Sequence, residues 1–205
     1  MTFYKIIKAL ISGFFHLFYR IHVTGEENIP ETGGVIISAN HTTALDPIIL
    51  AVSAKRQIRF IGKAELFKIP VFGALLRALG AFPVNRNEGD VVAIKKSLAI
   101  LSDGEVLCVF PQGTRCPGVP VKETADKVKS GVGLMALRSG AYVTPVYIKT
   151  KANRVHIFRR TDVVFGKAIA PEEFSEFEGR TKYTDAASLV FDRICSLSGE
   201  QETTV

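Results

Sequence analysis

The chain has 205 residues, of which 47% are hydrophobic and 22% charged, with 26 Lys plus Arg against 20 Asp plus Glu. Composition of this kind supports one globular core and excludes disordered, collagen-like and disulfide-scaffold proteins. Residues 1–170 hold 23 basic and 12 acidic side chains while residues 171–205 hold 3 and 8, so most of the chain presents a field that attracts anions.

The first 22 residues, MTFYKIIKALISGFFHLFYRIH, lack the unbroken apolar core and small-residue cleavage site of a signal peptide. Lys5, Lys8, Ser12, His16 and Arg20 fall on one helical stripe, and apolar and aromatic residues, Phe14, Phe15 and Phe18 among them, fill the rest. A narrow basic stripe beside a wide apolar face predicts an amphipathic helix in a membrane interface, over residues 1–22, ahead of a globular domain at 23–200 and a frayed tail at 201–205. The alternative is a helix packed on the protein's own core. No stretch is apolar for long enough to predict a spanning helix.

Residues 33–40, GGVIISAN, read as a buried strand. HTTAL follows as a loop, and Asp46-Pro47 opens a helix, with Asp46 able to cap it and Pro47 at its first position. A second strand is expected at 59–62. Residues 67–80, FKIPVFGALLRALG, are apolar with spaced bases, and Phe72 within them is a second candidate for lipid contact. A short extended piece at 81–86, a helix at 88–102 and a buried strand at 105–110 come next. A polar loop is expected at 117–126, a helix at 127–139, a strand at 142–148, a hairpin built from 154–160 and 162–170, and a closing helix at 183–197. Strands alternating with helices predict an α/β fold with a mixed, largely parallel sheet.

Several readings fail on context. GVGLMA at 131–136 matches a dinucleotide pattern by letter, but no strand precedes it, and small residues for close helix packing explain it better. Basic patches without a stacking platform do not fit nucleic acid. The three cysteines, Cys108, Cys116 and Cys195, form no C-x-x-C pair, which fits a reducing compartment and neither a zinc site nor a disulfide framework. Cys116 follows a polar loop and is expected to be exposed.

Two loops after buried strands carry reactive groups, where α/β sheets place their sites. In N-H-T-T-A-L-D, His41 and Asp46 would point about 140° apart on a continuous helix. They meet only if the connector bends. A carboxylate on one imidazole nitrogen fixes the tautomer and supports the imidazolium formed when the other takes a proton. With no serine beside it, such a base activates a hydroxyl of the substrate. The plainer alternative is Asp46 as a helix cap and His41 as a loop histidine. In F-P-Q-G-T-R, Gly113 permits close backbone approach, Thr114 offers a hydroxyl and Arg115 a planar donor fork suited to phosphate. Arg86, at the end of GAFPVNR, is another phosphate candidate.

NHTTALD, GAFPVNR, FPQGTR and VTPVYI stand in the order and spacing of four motifs, and over roughly residues 20–170 the chain resembles the 1-acyl-sn-glycerol-3-phosphate acyltransferases. The resemblance implies transfer of a fatty acyl group from acyl-CoA or acyl carrier protein to lysophosphatidic acid, giving phosphatidic acid, with no cofactor and no metal. It implies His41 as base and Asp46 as its orienting partner. Arg86, Gly113, Thr114 and Arg115 would handle the acceptor phosphate, and Pro145 would shape the acyl-donor side. Lys63 matches a basic position found before the second motif. The N-terminal helix, the basic field and the cysteine usage together predict a peripheral, monotopic protein on the cytoplasmic face of a membrane containing anionic lipid. One position departs: the third motif usually reads E-G-T-R, and here Gln112 replaces the glutamate, keeping an acceptor oxygen but losing the charge. Two alternatives stay open. One is an acyltransferase for another glycerolipid or lysophospholipid acceptor. The other is a weakly catalytic membrane scaffold on the same fold.

Overall fold

The structure is a computed structural model that describes residues 2–84 and 90–199. Within residues 2–7, and at positions 63, 72, 75 and 90, it describes the backbone alone.

Helix α1 spans Thr2–Tyr19, and the chain then turns through Arg20 into strand β1, Ile21–Thr24. The expected helix therefore ends before residue 22. Ile21 and His22 belong instead to a strand that pairs with β7, Thr161–Phe165. Strand β2, Val35–Ala39, is buried at every position and leads to helix α2, Asp46–Ser53. Strand β3, Ile58–Lys63, is followed by helix α3, Phe72–Ala78, and strand β4, Ala81–Val84. Helix α4, Asp90–Ser102, strand β5, Val106–Val109, helix α5, Gly131–Ser139, and strand β6, Tyr142–Thr150, complete the repeating part. After β7 come helix α6, Pro171–Phe174, and helix α7, Lys182–Ser196.

Among the described residues the strands form one seven-stranded sheet in the order β1-β7-β6-β2-β5-β3-β4. All neighbours are parallel except β6 and β7. Strand β2 sits in the middle, between β5 and β6, and alternate residues feed two cores. Val35, Ile37 and Ala39 pack with α1 and α2, through Phe15, Ile49 and Leu50. Ile36 packs on the other face with Met135, Ala136, Val190 and Ile194 of α5 and α7. Burial on both faces is why the parallel strands read as continuous β-branched runs. Gly133 shows what the 131–136 segment is for. A methyl group there would lie 2.1 Å from the Tyr183 carbonyl oxygen, so only glycine lets α5 and α7 approach this closely.

Three expectations are corrected. Residues 154–160 form no strand, and the antiparallel partner of β7 is β6, with Thr150 opposite Thr161. Ala152 and Asn153 just before this segment and Phe158 within it take positive φ angles, which breaks extended geometry. The helix expected from 127 starts at Gly131, because Val121–Lys127 is taken up by a 3-10 turn. Cys116 is buried, at 3% exposure. The expected frayed tail at 201–205 lies outside the described residues.

Candidate active site

The parallel sheet brings the C-terminal ends of β2 and β5 side by side, with Ser38 opposite Val109. The loops carrying NHTTALD and FPQGTR therefore leave the sheet as neighbours. Asn40 fastens the end of β2 to β6: its amide Nδ2 donates to the Ile148 carbonyl at 3.1 Å, and the Ile148 N–H donates to its Oδ1 at 2.7 Å.

Beyond Asn40 the chain bends, and the bend is organised by Asp46. This residue is wholly buried at the first turn of α2, with Leu45 before it and Pro47 after it. It does not cap its own helix. Its carboxylate turns back over the connector and accepts from the Thr42 N–H at 2.6 Å and the Thr43 N–H at 2.9 Å. The same oxygen, Oδ2, lies 2.8 Å from His41 Nδ1. A carboxylate only accepts, so Nδ1 carries a proton, and the neutral ring has its lone pair on Nε2. Nε2 has no hydrogen-bond partner among the described residues. The Phe110 ring, from the start of the second loop, stacks on the imidazole with centroids 4.0 Å apart and planes 17° apart. The side chain of His41 is 17% exposed. One edge is thus gripped, one face is covered, and the side chain stays partly exposed.

The second loop is tied to the first by a backbone bond: the Cys116 N–H donates to the His41 carbonyl at 2.8 Å. A turn from Phe110 to Gly113 starts it, with Gly113 at φ 65°. Gly113, Thr114 and Arg115 are all exposed, and the Arg115 guanidinium makes no hydrogen bond or ion pair among the described residues. Gln112 points the other way. It is 2% exposed, its amide Nε2 donates to Thr124 Oγ1 at 3.3 Å, and its Oε1 is buried without a partner among the described residues. Position 112 therefore braces the 3-10 turn and does not hold Arg115.

Cys108, in β5 beneath this corner, is buried. Burial, and after it the Asp46 carboxylate, push its thiol well above the ordinary value. That makes it a poor nucleophile.

The structure places some of the other expected site residues. Pro145 lies within β6 opposite Ser38, its ring beside Gly166 and Leu197 on the α7 side of the sheet. That is a packing position, not a wall of the His41 cleft. Lys63 ends β3, with its side chain outside the described residues, as is that of Phe72. Arg86 lies outside the described residues altogether. Phe15 is 7% exposed, packs in the core and stacks on Tyr19 at 4.9 Å. Its assignment to the lipid-facing side is corrected. Phe14 is 51% exposed, and Phe18 is half-buried. Two contributors escaped the sequence reading: Phe110, signalled only by an aromatic at the end of an apolar strand, and Asn40, a lone amide at the end of another. Among the described residues no group of His, Cys, Asp and Glu is arranged to hold a metal ion.

The Acyltransferase family pattern matches residues 20–149, which include the whole His41–Asp46 corner and the FPQGTR loop. The chain belongs to the acyltransferase family. A 1-acyl-sn-glycerol-3-phosphate acyltransferase of Bacillus subtilis is 26% identical over 96% of this chain and 94% of its own length. One from Borreliella burgdorferi is 32% identical over 65% of this chain and 53% of its own length. The crystal structure of the 1-acyl-sn-glycerophosphate (LPA) acyltransferase PlsC from Thermotoga maritima superposes with a TM-score of 0.70 at 25% identity. It covers 98% of this chain, and this chain covers 81% of it. The α/β fold with a mostly parallel sheet is that of this acyltransferase, and the chain is an O-acyltransferase of the 1-acyl-sn-glycerol-3-phosphate type.

Proposed function

We propose that the enzyme moves a fatty acyl group from a thioester, acyl-CoA or acyl carrier protein, to the sn-2 hydroxyl of lysophosphatidic acid, giving phosphatidic acid. The observation that carries this reading is the 2.8 Å contact between His41 Nδ1 and the buried Asp46 carboxylate, which leaves Nε2 as a free base. Nε2 takes the proton from the 2-hydroxyl as that oxygen attacks the thioester carbonyl carbon. A tetrahedral oxyanion forms and collapses. The C–S bond breaks, and the departing thiolate receives the proton from the His41 imidazolium. Asp46 stabilises that imidazolium and holds the ring in line. Arg115 and the Gly113–Thr114 backbone, exposed beside the base, receive the acceptor phosphate, with Arg86 assigned to the same role. Holding both substrates in one geometry supplies much of the rate.

Both substrates are lipidic, and the same reading places the enzyme peripherally on the cytoplasmic face of a membrane. Among the described residues no helix is long and apolar enough to cross one. Leu10, Phe14 and Leu17 of α1, on one helical face, are 69%, 51% and 70% exposed, which suits a helix lying in an anionic interface.

The test is mass spectrometry of products from a matrix of acyl donors and acceptors presented in liposomes. The expected product is phosphatidic acid, dependent on His41. Preferred acylation of a phosphate-free or larger-headed acceptor would overturn the assignment of lysophosphatidic acid. Undiminished transfer by His41→Ala would overturn the mechanism.

A further inference from the structure

The loop between β6 and β7 is built to expose what loops normally hide. Ile157 is 56% and Phe158 64% exposed at its tip. Phe158 sits at φ 62°, a backbone region that bulky residues avoid. The conformation is fixed from two sides. The Phe158 N–H donates to the Phe18 carbonyl at 2.6 Å, and the two rings lie 5.6 Å apart. Val155, two residues inward from the tip, packs on the core. The fold thus holds a strained turn that carries an aromatic ring outward beside the end of α1.

That position makes the surface continuous. Phe14 meets Phe18 at 4.4 Å, and Phe18 meets Phe158, so the exposed face of α1 extends onto the loop. Its rim is cationic. Arg154 and Arg159 are exposed and have no acidic partner among the described residues. A groove of about 550 Å³ beside it is lined by His16, Leu17, Arg20, Ile21, His22 and Arg160. Arg160 is paired with Asp162 at 2.7 Å, and the neighbouring arginines are left to attract anions. An apolar patch with a basic rim matches the layered chemistry of an anionic bilayer, acyl chains below and phosphates above.

The sheet fixes which way this surface faces. Strand β6 runs parallel to β2, so its end at Thr150 lies at the end of the sheet where His41 leaves β2. The connection is direct. The Cys116 N–H bonds the His41 carbonyl, and the Gly118 N–H bonds the Asn153 carbonyl at 3.0 Å. Residues 116–118, which follow FPQGTR, therefore link the His41 backbone to the start of the 154–160 loop.

We infer that Ile157 and Phe158 form a second membrane anchor, which enters an anionic bilayer together with Phe14 and Leu17 of α1 and turns the mouth of the acyltransferase site toward the lipid. The inference deepens the proposed membrane reading and rests on it. Two anchors fix a plane where α1 alone would leave the enzyme free to roll. The acceptor phosphate is then presented at the depth of Arg115.

The chain contains no tryptophan, so single substitutions report their own positions. Phe158→Trp, Phe14→Trp and Tyr142→Trp, the last at the opposite end of the sheet, are mixed with vesicles of phosphatidylcholine and phosphatidylglycerol carrying brominated acyl chains. Quenching is expected at positions 158 and 14 and not at 142. Quenching at 14 without quenching at 158 overturns the second anchor and leaves the α1 reading intact. Quenching at neither overturns both. A response at 158 to an acidic acyl carrier protein, with none to vesicles, assigns the surface to the donor and also overturns the inference. Phe158→Gly removes the ring and suits the backbone angle. Vesicle affinity is expected to fall about ten-fold or more with no loss of thermal stability. Unchanged vesicle affinity with a lowered melting temperature would make Phe158 a packing residue only.

Discussion

His41 and Arg115 stand on loops joined by one backbone hydrogen bond, yet they are held in opposite ways. His41 is gripped at Nδ1 by a buried carboxylate that also binds two neighbouring amides, and its face is covered by Phe110. Arg115 is exposed, and Gln112, three residues before it, is committed to Thr124. A base must keep its tautomer and direction before substrate arrives, because its contribution depends on alignment. A phosphate ligand can be gathered on binding, since a guanidinium tolerates a range of approaches and the ligand supplies the missing partner. On the proposed roles, the difference between the corners is a division between what is preorganised and what substrate completes.

The largest effect is expected at the rigid corner. Asp46→Ala removes the acceptor for two backbone N–H groups and for the imidazole. It should lower stability by about 3 kcal/mol in denaturant titration and lower kcat on the order of 10²- to 10⁴-fold. A stable, active Asp46→Ala would erase the contrast. Next comes the open corner. Arg115→Ala should leave stability within about 0.5 kcal/mol. It should raise KM for lysophosphatidic acid about ten-fold or more, and change turnover of a phosphate-free monoacylglycerol far less. Equal losses on both acceptors would count against a phosphate role.

Gln112→Glu sharpens the comparison, because it restores the letter usual in the family. At 2% exposure, with the neutral Thr124 hydroxyl as its hydrogen-bond partner, the new carboxylate would be buried without an ion pair to offset its desolvation. A stability loss of about 1–3 kcal/mol, with no gain in rate, is expected. A faster and equally stable variant would mean that position 112 does reach Arg115. The smallest effect concerns pH. Burial and Asp46 raise the Cys108 thiol in the folded state. Above the ordinary thiol value of about 9 the unfolded chain ionises and the folded one does not. Stability should therefore fall as pH rises through that range, by at most about 1.4 kcal/mol per pH unit for this group. Cys195, pushed up to about 11 chiefly by burial, adds in the same direction between 9 and 11. Cys108→Ala should flatten the slope measured by alkaline denaturation.

The buried strands and most helices were legible because parallel strands covered on both faces leave unbroken β-branched runs. Strand β1 was not. Its four residues continue the apolar pattern of the helix before them, and only pairing with a strand some 140 residues later defines it. The 154–160 segment reads as extended by its letters, but left-handed residues carry the chain as a turn, and no local propensity anticipates Phe158 in that role. Within the site, the residue types at 41 and 46 were informative while their contact was not. Five positions apart, they meet only through a bend whose organiser is the Asp46 side chain itself. Phe110 was hidden for a similar reason: stacking depends on the register of β2 against β5, and a single sequence does not contain that register.

The central claim is that His41 and Asp46 act as one unit on the acceptor hydroxyl. It is tested most directly by comparing the single variants His41→Ala and Asp46→Asn with the double variant, in one acyl-transfer assay with lysophosphatidic acid. The double variant is expected to be no slower than His41→Ala alone, since an orienting carboxylate has nothing left to orient. Losses that multiply in the double variant, or a His41→Ala enzyme that keeps its rate, would contradict it.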